Sequence, residues 1–435
     1  MEKKHGIVEV TYSGQSINQQ SVDKAIIIIP GVMGSRLFTS NYIFDDTTRI
    51  WDPVLPQGYD WNDMLYSEFL NRIHDLGKQF KEGNLYPRKM ENQNVETGTL
   101  KYGREYGAQN TYKNLVDILC EKFPDRKIYF FSYDWRQSNT ESAMELYRTI
   151  YRLGIVKADL VCHSMGGLVA SKFYMMYRHN NQIDKIITCA TPYEGAPKLL
   201  NSIINKDILG EGAFGGADWK NDLIDIVLGT LGGMSKELKS SFQGVAELLP
   251  TKNYVSEISM QEVTYKYNVQ MHRSEPTGRN LSYEEYIKRC ESVFDNNQEV
   301  QGTTYNKIKE FQESILAESG HNALLDYNKA YFAVGINYKT ITSIRFFPDS
   351  PEINQRLYET DLNLGQLGDG TVPFLSATMM DKMSGIAGVG KRCWFFSADH
   401  SGIIKSYEVI EWITHILTNG YSDQPSATLS GSGVN

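Results

Sequence analysis

The stretch Asp159–Arg178, DLVCHSMGGLVASKFYMMYR, decides the fold. DLVCH is a short apolar run of the kind that forms a buried strand, and GGLVASKFYMMYR reads as a helix. Between them Ser164 sits in Cys162-His163-Ser164-Met165-Gly166, a G-x-S-x-G pattern with Cys in place of the first Gly. A serine hydroxyl is a weak nucleophile near neutral pH and needs both a base and exposure. A sharp strand-to-helix turn flanked by small residues exposes it. Cys is small enough for such a turn, and the flanking strand and helix are the context it requires. The competing reading is a serine that only caps a helix. His163 is not the expected base, because adjacent residues in a strand point to opposite faces. It is expected to be packed or hydrogen-bonded beneath the turn.

Outward from this stretch, other β-branched, apolar runs end at Gly, Pro or polar breaks, as buried parallel strands do. They are Ala25–Pro30, Lys127–Tyr133, Lys185–Ala190, Ala330–Ile336 and Cys393–Ser397. Helical patterns fall at Tyr112–Phe123, Glu141–Leu153 and Tyr407–Thr418. The alternation predicts an α/β fold with a mostly parallel central sheet and helices on both faces. Two long polar stretches interrupt it, at residues 40–110 and 198–328, and structureless loops of that length are improbable inside a domain. They are read as a lid and a cap inserted into a single domain spanning residues 1–435, with residues 420–435 a disordered Ser/Gly-rich tail.

A nucleophilic serine needs an acid and a base that follow it in the order Ser, acid, His. Of the five histidines after Ser164, His400 alone follows the last strand-like run and precedes the final helix. The competing reading is a surface or capping histidine in the turn Asp399–Gly402. Asp369, in Gly368-Asp369-Gly370-Thr371-Val372-Pro373, is the expected acid, since flanking glycines allow a tight turn that projects the carboxylate. Asp361, Asp349 and Asp399 are its rivals. Oxyanion donors are expected at the amides of Met165, after the nucleophile, and Val32, in the loop Pro30–Ser35, with Met33 the next choice. A phosphate-cradling role for that Gly-containing loop competes, but it lacks both a Lys-Ser/Thr ending and GxGxxG.

Composition narrows the classes of partner. The chain has 435 residues, a net charge of −8 and no Lys/Arg-rich run, which argues against nucleic acid. No run of about 18 apolar residues suggests a transmembrane segment, and no signal peptide is evident, so a cytoplasmic location is expected. The five scattered cysteines have no zinc spacing and favour a reducing compartment. No cofactor and no metal are expected.

The segments IIIIPGVMGSRL (Ile26–Leu37), FSYDWRQS (Phe131–Ser138), VCHSMGG (Val161–Gly167), ATPYEGAP (Ala190–Pro197), GDGTVP (Gly368–Pro373) and ADHSGII (Ala398–Ile404) together resemble the lecithin:cholesterol acyltransferase family, which includes lysosomal phospholipase A2 and bacterial relatives. Tyr133-Asp134-Trp135-Arg136 is the most family-specific piece. The resemblance implies an α/β-hydrolase fold, a Ser164–Asp369–His400 triad, and an oxyanion hole at Val32 and Met165. It also implies a serine-dependent lipid ester hydrolase, phospholipase A or lipase-like, working through an acyl-enzyme. The alternatives are an acyltransferase with an alcohol acceptor and a catalytically inactive hydrolase-fold binding protein. Animal members of the family have a disulfide-closed lid loop, whereas residues 40–110 here contain no Cys. The expected partner is a lipid or other acyl ester, with transient contact at a lipid interface. Trp51 and Trp61 are substrate-contact candidates, as are Phe69, Leu70, Phe214, Leu223, Ile226, Val227 and Leu228, all of which could equally be the cores of the two insertions. Asp134 and Arg136 are expected to pair, either near the site or as a structural pair at a strand end.

Overall fold

In a computed structural model of the chain, the described residues are 6–10, 22–35, 37–41, 46–51, 85–87, 111–199, 242–268, 270–271, 273–294, 303–346, 355–357, 368–388 and 391–420. The central sheet has seven strands: β1 (Gly6–Val10), β2 (Val22–Ile29), β3 (Lys127–Ser132), β4 (Ile155–His163), β5 (Ile183–Cys189), β6 (Ala330–Gly335) and β7 (Cys393–Phe396). Their spatial order is β1-β3-β2-β4-β5-β6-β7, and every pair is parallel except β1 with β3. The antiparallel β1 was not anticipated. Its sequence, GIVEV, is short and carries a charge, so it lacks the long apolar run that marks the buried strands.

The interior strands alternate between two cores, as a period of two requires. Ile27 and Ile29 of β2 face one layer with Phe131, Leu160 and Ile186. Helices α2 (Asn139–Arg152) and α3 (Met165–Tyr177) cover that face through Leu146, Ile150, Leu168 and Phe173. Ile26 and Ile28 face the other layer with Phe130, Val161 and Ile187. There α1 (Lys113–Lys122) and α4 (Tyr407–Asn419) close the core through Leu115, Leu119, Trp412 and Ile413. The mostly parallel sheet between helical layers thus has the architecture expected from the alternation of runs.

The described parts of the two interrupting stretches contain strands as well as helices. Leu37–Asn41 pairs antiparallel with Asp46–Trp51 and with Leu85–Pro87. Gln261–Asn268 and Arg273–Asn280 form a hairpin, joined by Ser343–Phe346 and Gln355–Leu357 in a four-stranded sheet. Helices Tyr283–Phe294 and Thr303–Ser314 follow the hairpin. Tyr254, Tyr286, Ile308 and Phe311 belong to the same core cluster as Ile27 and Ile186, so these pieces share the hydrophobic interior of the sheet. Of the expected tail, residues 420–435, Gly420 caps α4 through its N–H to Ile416 O, and residues 421–435 lie outside the described residues.

Glu247 fastens the second stretch to the start of α2. Its Oε1 accepts from Ser138 Oγ at 2.6 Å, and its Oε2 accepts from Asn139 N and Asn139 Nδ2, each at 2.8 Å. Burial is the dominant influence and pushes the Glu247 carboxyl from 4.5 up to about 7, against the opposing pull of those donors. The folded chain therefore holds this proton more tightly than the unfolded chain does. The resulting stabilisation is fully present below pH 4.5 and is lost as pH rises through 7. Denaturant melts of wild type and Glu247→Gln across this window should show a falling contribution in wild type that the Gln variant lacks. Identical pH slopes would refute the assignment.

Candidate active site

The turn at Ser164 is a strained one. Ser164 has φ 52° and ψ −124°, between the end of β4 and the first turn of α3. A non-glycine residue held at positive φ costs on the order of 1–3 kcal/mol, and such strain persists only where its surroundings enforce it. Here Ser164 N–H donates to Cys189 O at 2.8 Å, tying the turn to the end of β5, and Gly167 N–H donates to Ser164 O at 2.9 Å. Gly166 has no room for a side chain, since a Cβ there would lie 2.4 Å from Ile29 O. Cys162, which stands where the motif usually has Gly, is fully buried in the core beside the sheet. The tight approach of helix to strand falls on Gly166, so a small apolar side chain at 162 is accommodated.

Three segments distant in sequence meet at Ser164. His400 Nε2 is 2.9 Å from Ser164 Oγ, and His400 Nδ1 is 2.7 Å from Asp369 Oδ2. With Asp369 ionised, Nδ1–H donates to the carboxylate, which leaves Nε2 to accept the serine proton. Backbone contacts hold the acid and the base in register, because His400 N–H donates to Asp369 O at 2.8 Å. The second carboxylate oxygen, Oδ1, accepts from Thr371 N at 2.9 Å and Val372 N at 2.6 Å. Ser164, Asp369 and His400 are 3%, 1% and 2% exposed. In such a buried setting the orientation of each donor carries more weight than it would in water. Asp399, a rival acid, instead accepts from Gly402 N and Ser401 Oγ within its own turn. Asp349 and Asp361 lie outside the described residues.

The loop Pro30–Ser35 lies directly against the nucleophile, where a Cβ on Gly31 would come within 2.8 Å of Ser164 Cβ. The motif Tyr133-Asp134-Trp135-Arg136 shapes this loop from its far side. Tyr133 Oη donates to Pro30 O at 2.8 Å, Tyr133 N to Ser35 Oγ at 3.1 Å, and Trp135 Nε1 to Ser35 O at 3.2 Å. Asp134 and Arg136 form a buried bidentate pair, Nε–Oδ1 2.7 Å and Nη2–Oδ2 2.6 Å, which braces the segment carrying those donors. Within the loop, Gly31 N–H is committed to Tyr112 Oη and Gly34 N–H to Gly31 O. Neither amide is left for an oxyanion. Val32 sits in this loop, and Met165 opens α3.

Several residues at the site carry no motif that would announce them. Lys198 Nζ donates to Gly370 O at 3.1 Å, holding the turn of the acid. Tyr112 was visible only as the start of a helical pattern, and nothing in its sequence neighbourhood points to Gly31. Tyr133 and Trp135 could have been found through the family-specific motif. His163 lies beneath the turn, as expected from strand alternation, with Tyr112 Oη at its Nδ1 and His400 O at its Nε2. Trp51 ends the strand that pairs with Leu37–Asn41, the strand that follows the loop Pro30–Ser35. Trp61, Phe69, Leu70, Phe214, Leu223, Ile226, Val227 and Leu228 lie outside the described residues.

A doubly covered parallel sheet, a strained serine at a strand-to-helix turn, and a Ser164–His400–Asp369 hydrogen-bond chain define a serine hydrolase or acyltransferase of the α/β-hydrolase class. The family model for lecithin:cholesterol acyltransferase matches residues 98–343, more than half of the chain, and the chain belongs to that family. The matched span contains Ser164 but ends before Asp369 and His400, whose assignment rests on geometry. A similar protein is the phospholipase A(1) LCAT3 of Arabidopsis thaliana, 39% identical over 105 residues, which are 21% of this chain and 23% of that protein. The match thus spans about a quarter of that relative's length. Among solved structures, a chain of the Tle4–Tli4 complex superposes with a TM-score of 0.60 at 14% identity, covering 92% of this chain and 98% of the other, a likeness of fold.

Gly166→Ala tests whether the close approach of helix to strand holds the serine turn. Its Cβ would meet backbone, which cannot give way as a flexible side chain can. The expected result is a lowered melting temperature together with loss of Ser164 labelling by a fluorophosphonate probe. Unchanged labelling would show that the turn tolerates a side chain there.

Proposed function

We propose that the protein is a lipid ester hydrolase, phospholipase A or lipase-like, that works through an acyl-enzyme. The observation that carries this reading is the continuous Ser164–His400–Asp369 chain, 2.9 Å and 2.7 Å long at its two links, in a member of the lecithin:cholesterol acyltransferase family. His400 Nε2 removes the hydroxyl proton as Ser164 Oγ attacks the ester carbonyl. The amides of Met165 and Val32 hold the developing oxyanion. His400 then protonates the leaving alkoxide, and the acyl group stays on Ser164. In the second half, His400 deprotonates water, which attacks the acyl-enzyme and restores the serine. Asp369 keeps the imidazole in the required tautomer and stabilises the imidazolium throughout.

The lipid character of the substrate is supported by family membership and by the likeness to a plant phospholipase A(1). In this reading residues 40–110 act as a lid and residues 198–328 as a cap, with Trp51 and Trp61 as substrate contacts. Among the described residues no helix is long and apolar enough to cross a membrane. Transient contact at a lipid interface and a cytoplasmic location are part of the same proposal. Transfer to an alcohol acceptor is a second reading, favoured by the family itself, and it differs only in what His400 activates in the second half-reaction.

Labelled phospholipid incubated with wild type should release labelled fatty acid, and Ser164→Ala should release none while remaining folded. Turnover retained by Ser164→Ala would overturn the assignment. Adding a sterol or a simple alcohol should leave free fatty acid as the main product; a labelled ester of the acceptor would select the transferase reading. Asp369→Asn should lower kcat by about 10⁴-fold with little change in KM, because the amide favours the wrong imidazole tautomer. A small drop would show that another group orients His400.

A further inference from the structure

A second chain of hydrogen bonds, distinct from the triad, runs beneath the serine turn. Gly31 N–H donates to Tyr112 Oη at 2.8 Å, Tyr112 Oη is 2.8 Å from His163 Nδ1, and His163 Nε2 is 2.9 Å from His400 O. Its two ends, with a neutral imidazole between them, determine the direction of every link. The Gly31 amide can only donate and the His400 carbonyl can only accept. His163 must therefore carry its proton on Nε2 and accept at Nδ1, and the Tyr112 hydroxyl must donate to Nδ1 while accepting from Gly31. No alternative placement of protons satisfies all the members. Both side chains are 2% exposed, so no solvent competes for these bonds.

We propose that Tyr112 and His163 are positioning residues for acyl transfer, a single ordered strut that sets the oxyanion loop at Gly31 relative to the backbone of the base at His400. The inference rests on the reading of Ser164 and His400 as nucleophile and base. Gly31 is the residue before Val32, the donor assigned to the oxyanion, and His400 is the base itself. A shift in the strut therefore moves the oxyanion donor and the base relative to each other, though neither Tyr112 nor His163 touches substrate. This order of protons belongs to the neutral ring: protonation would turn Nδ1 into a donor and leave the Tyr112 hydroxyl proton without its acceptor. Burial foremost, and then the nearby His400, hold the His163 imidazolium down to about 3. The ring centroids of His163 and His400 are 5.1 Å apart, so a second charge here would also oppose the imidazolium that forms during catalysis.

The test compares kcat, KM and thermal melting for wild type, Tyr112→Phe, His163→Leu, the double variant and His163→Gln, with a soluble p-nitrophenyl ester as substrate well below every melting temperature. Tyr112→Phe keeps the ring and removes the hydroxyl. It should lower kcat by roughly 10- to 100-fold with KM little changed, the penalty of a small misplacement of reacting groups. His163→Leu should fall as far, and the double variant no further than either, because both break one strut. Gln offers both an acceptor and a donor, so His163→Gln should recover most of kcat. It also carries the test if the other variants fail to fold, since a folded His163→Gln whose kcat stays roughly 10- to 100-fold below wild type would overturn the proposal. Variants that melt lower but keep wild-type kcat would likewise overturn it and leave Tyr112 and His163 with a purely structural part. A wild type that neither turns over the ester nor is labelled at Ser164 by a fluorophosphonate would instead refute the functional reading itself.

Discussion

The backbone at Ser164 occupies a conformation that an L-residue rarely adopts, φ 52° with ψ −124°, and the rest of the site is arranged to keep it there. The strain, on the order of 1–3 kcal/mol, must be offset by neighbours that cannot move. β4 lies between β2 and β5 in the middle of the sheet, and Cys189 O at the end of β5 receives the serine amide. α3 can start immediately after the serine only because Gly166 lets its backbone close on Ile29 O. A nucleophile on a softer loop would relax out of this conformation and lose its aim at His400.

From that point the site spreads along the ends of the parallel strands. The loop after β2 brings Gly31 and Val32, the turn after β4 brings Ser164, and the segments beyond β6 and β7 bring Asp369 and His400. Parallel strands expose their carboxyl ends on one edge, so residues more than two hundred positions apart in sequence converge there. Each loop is then braced by something other than the sheet. Tyr133 and Trp135 hold the loop Pro30–Ser35, Lys198 and two backbone amides hold the acid turn, and Asp369 O receives the His400 amide. The buried Asp134–Arg136 pair belongs to this bracing. Removing one partner of such a pair costs about 3–5 kcal/mol, because the other is left charged and uncompensated.

Most of the frame was legible in the sequence because buried parallel strands leave a strong local signal. IIIIP, KIYFFS, DLVCH, KIITC and CWFF are apolar on both faces, and each coincides with a strand within a few residues. The edge strand Gly6–Val10 was not legible, since a strand with one neighbour need not be apolar on both faces. The hairpin Gln261–Asn268 with Arg273–Asn280 was equally silent. It contains Lys266, Arg273, Glu275 and Arg279, a charge density that reads as loop until a partner strand is known. The serine, the acid and the histidine could be picked out because each sits in a turn with its own constraint on composition. Tyr112 could not, because a tyrosine at a helix start has no distinguishing neighbour.

Sequence by itself determined the alternation of buried strands and helices, the serine turn, and the order of nucleophile, acid and base, since each of these is encoded within a few adjacent residues. Only the tertiary structure decided which carboxylate meets His400, which way the protons run through Tyr112 and His163, and why Cys162 can replace a glycine. Those outcomes depend on distances between segments that no local pattern contains. Asp399 is next to His400 in the chain yet bonds within its own turn, while Asp369, thirty-one residues away, lies 2.7 Å from the imidazole because the ends of β6 and β7 are neighbours in the sheet.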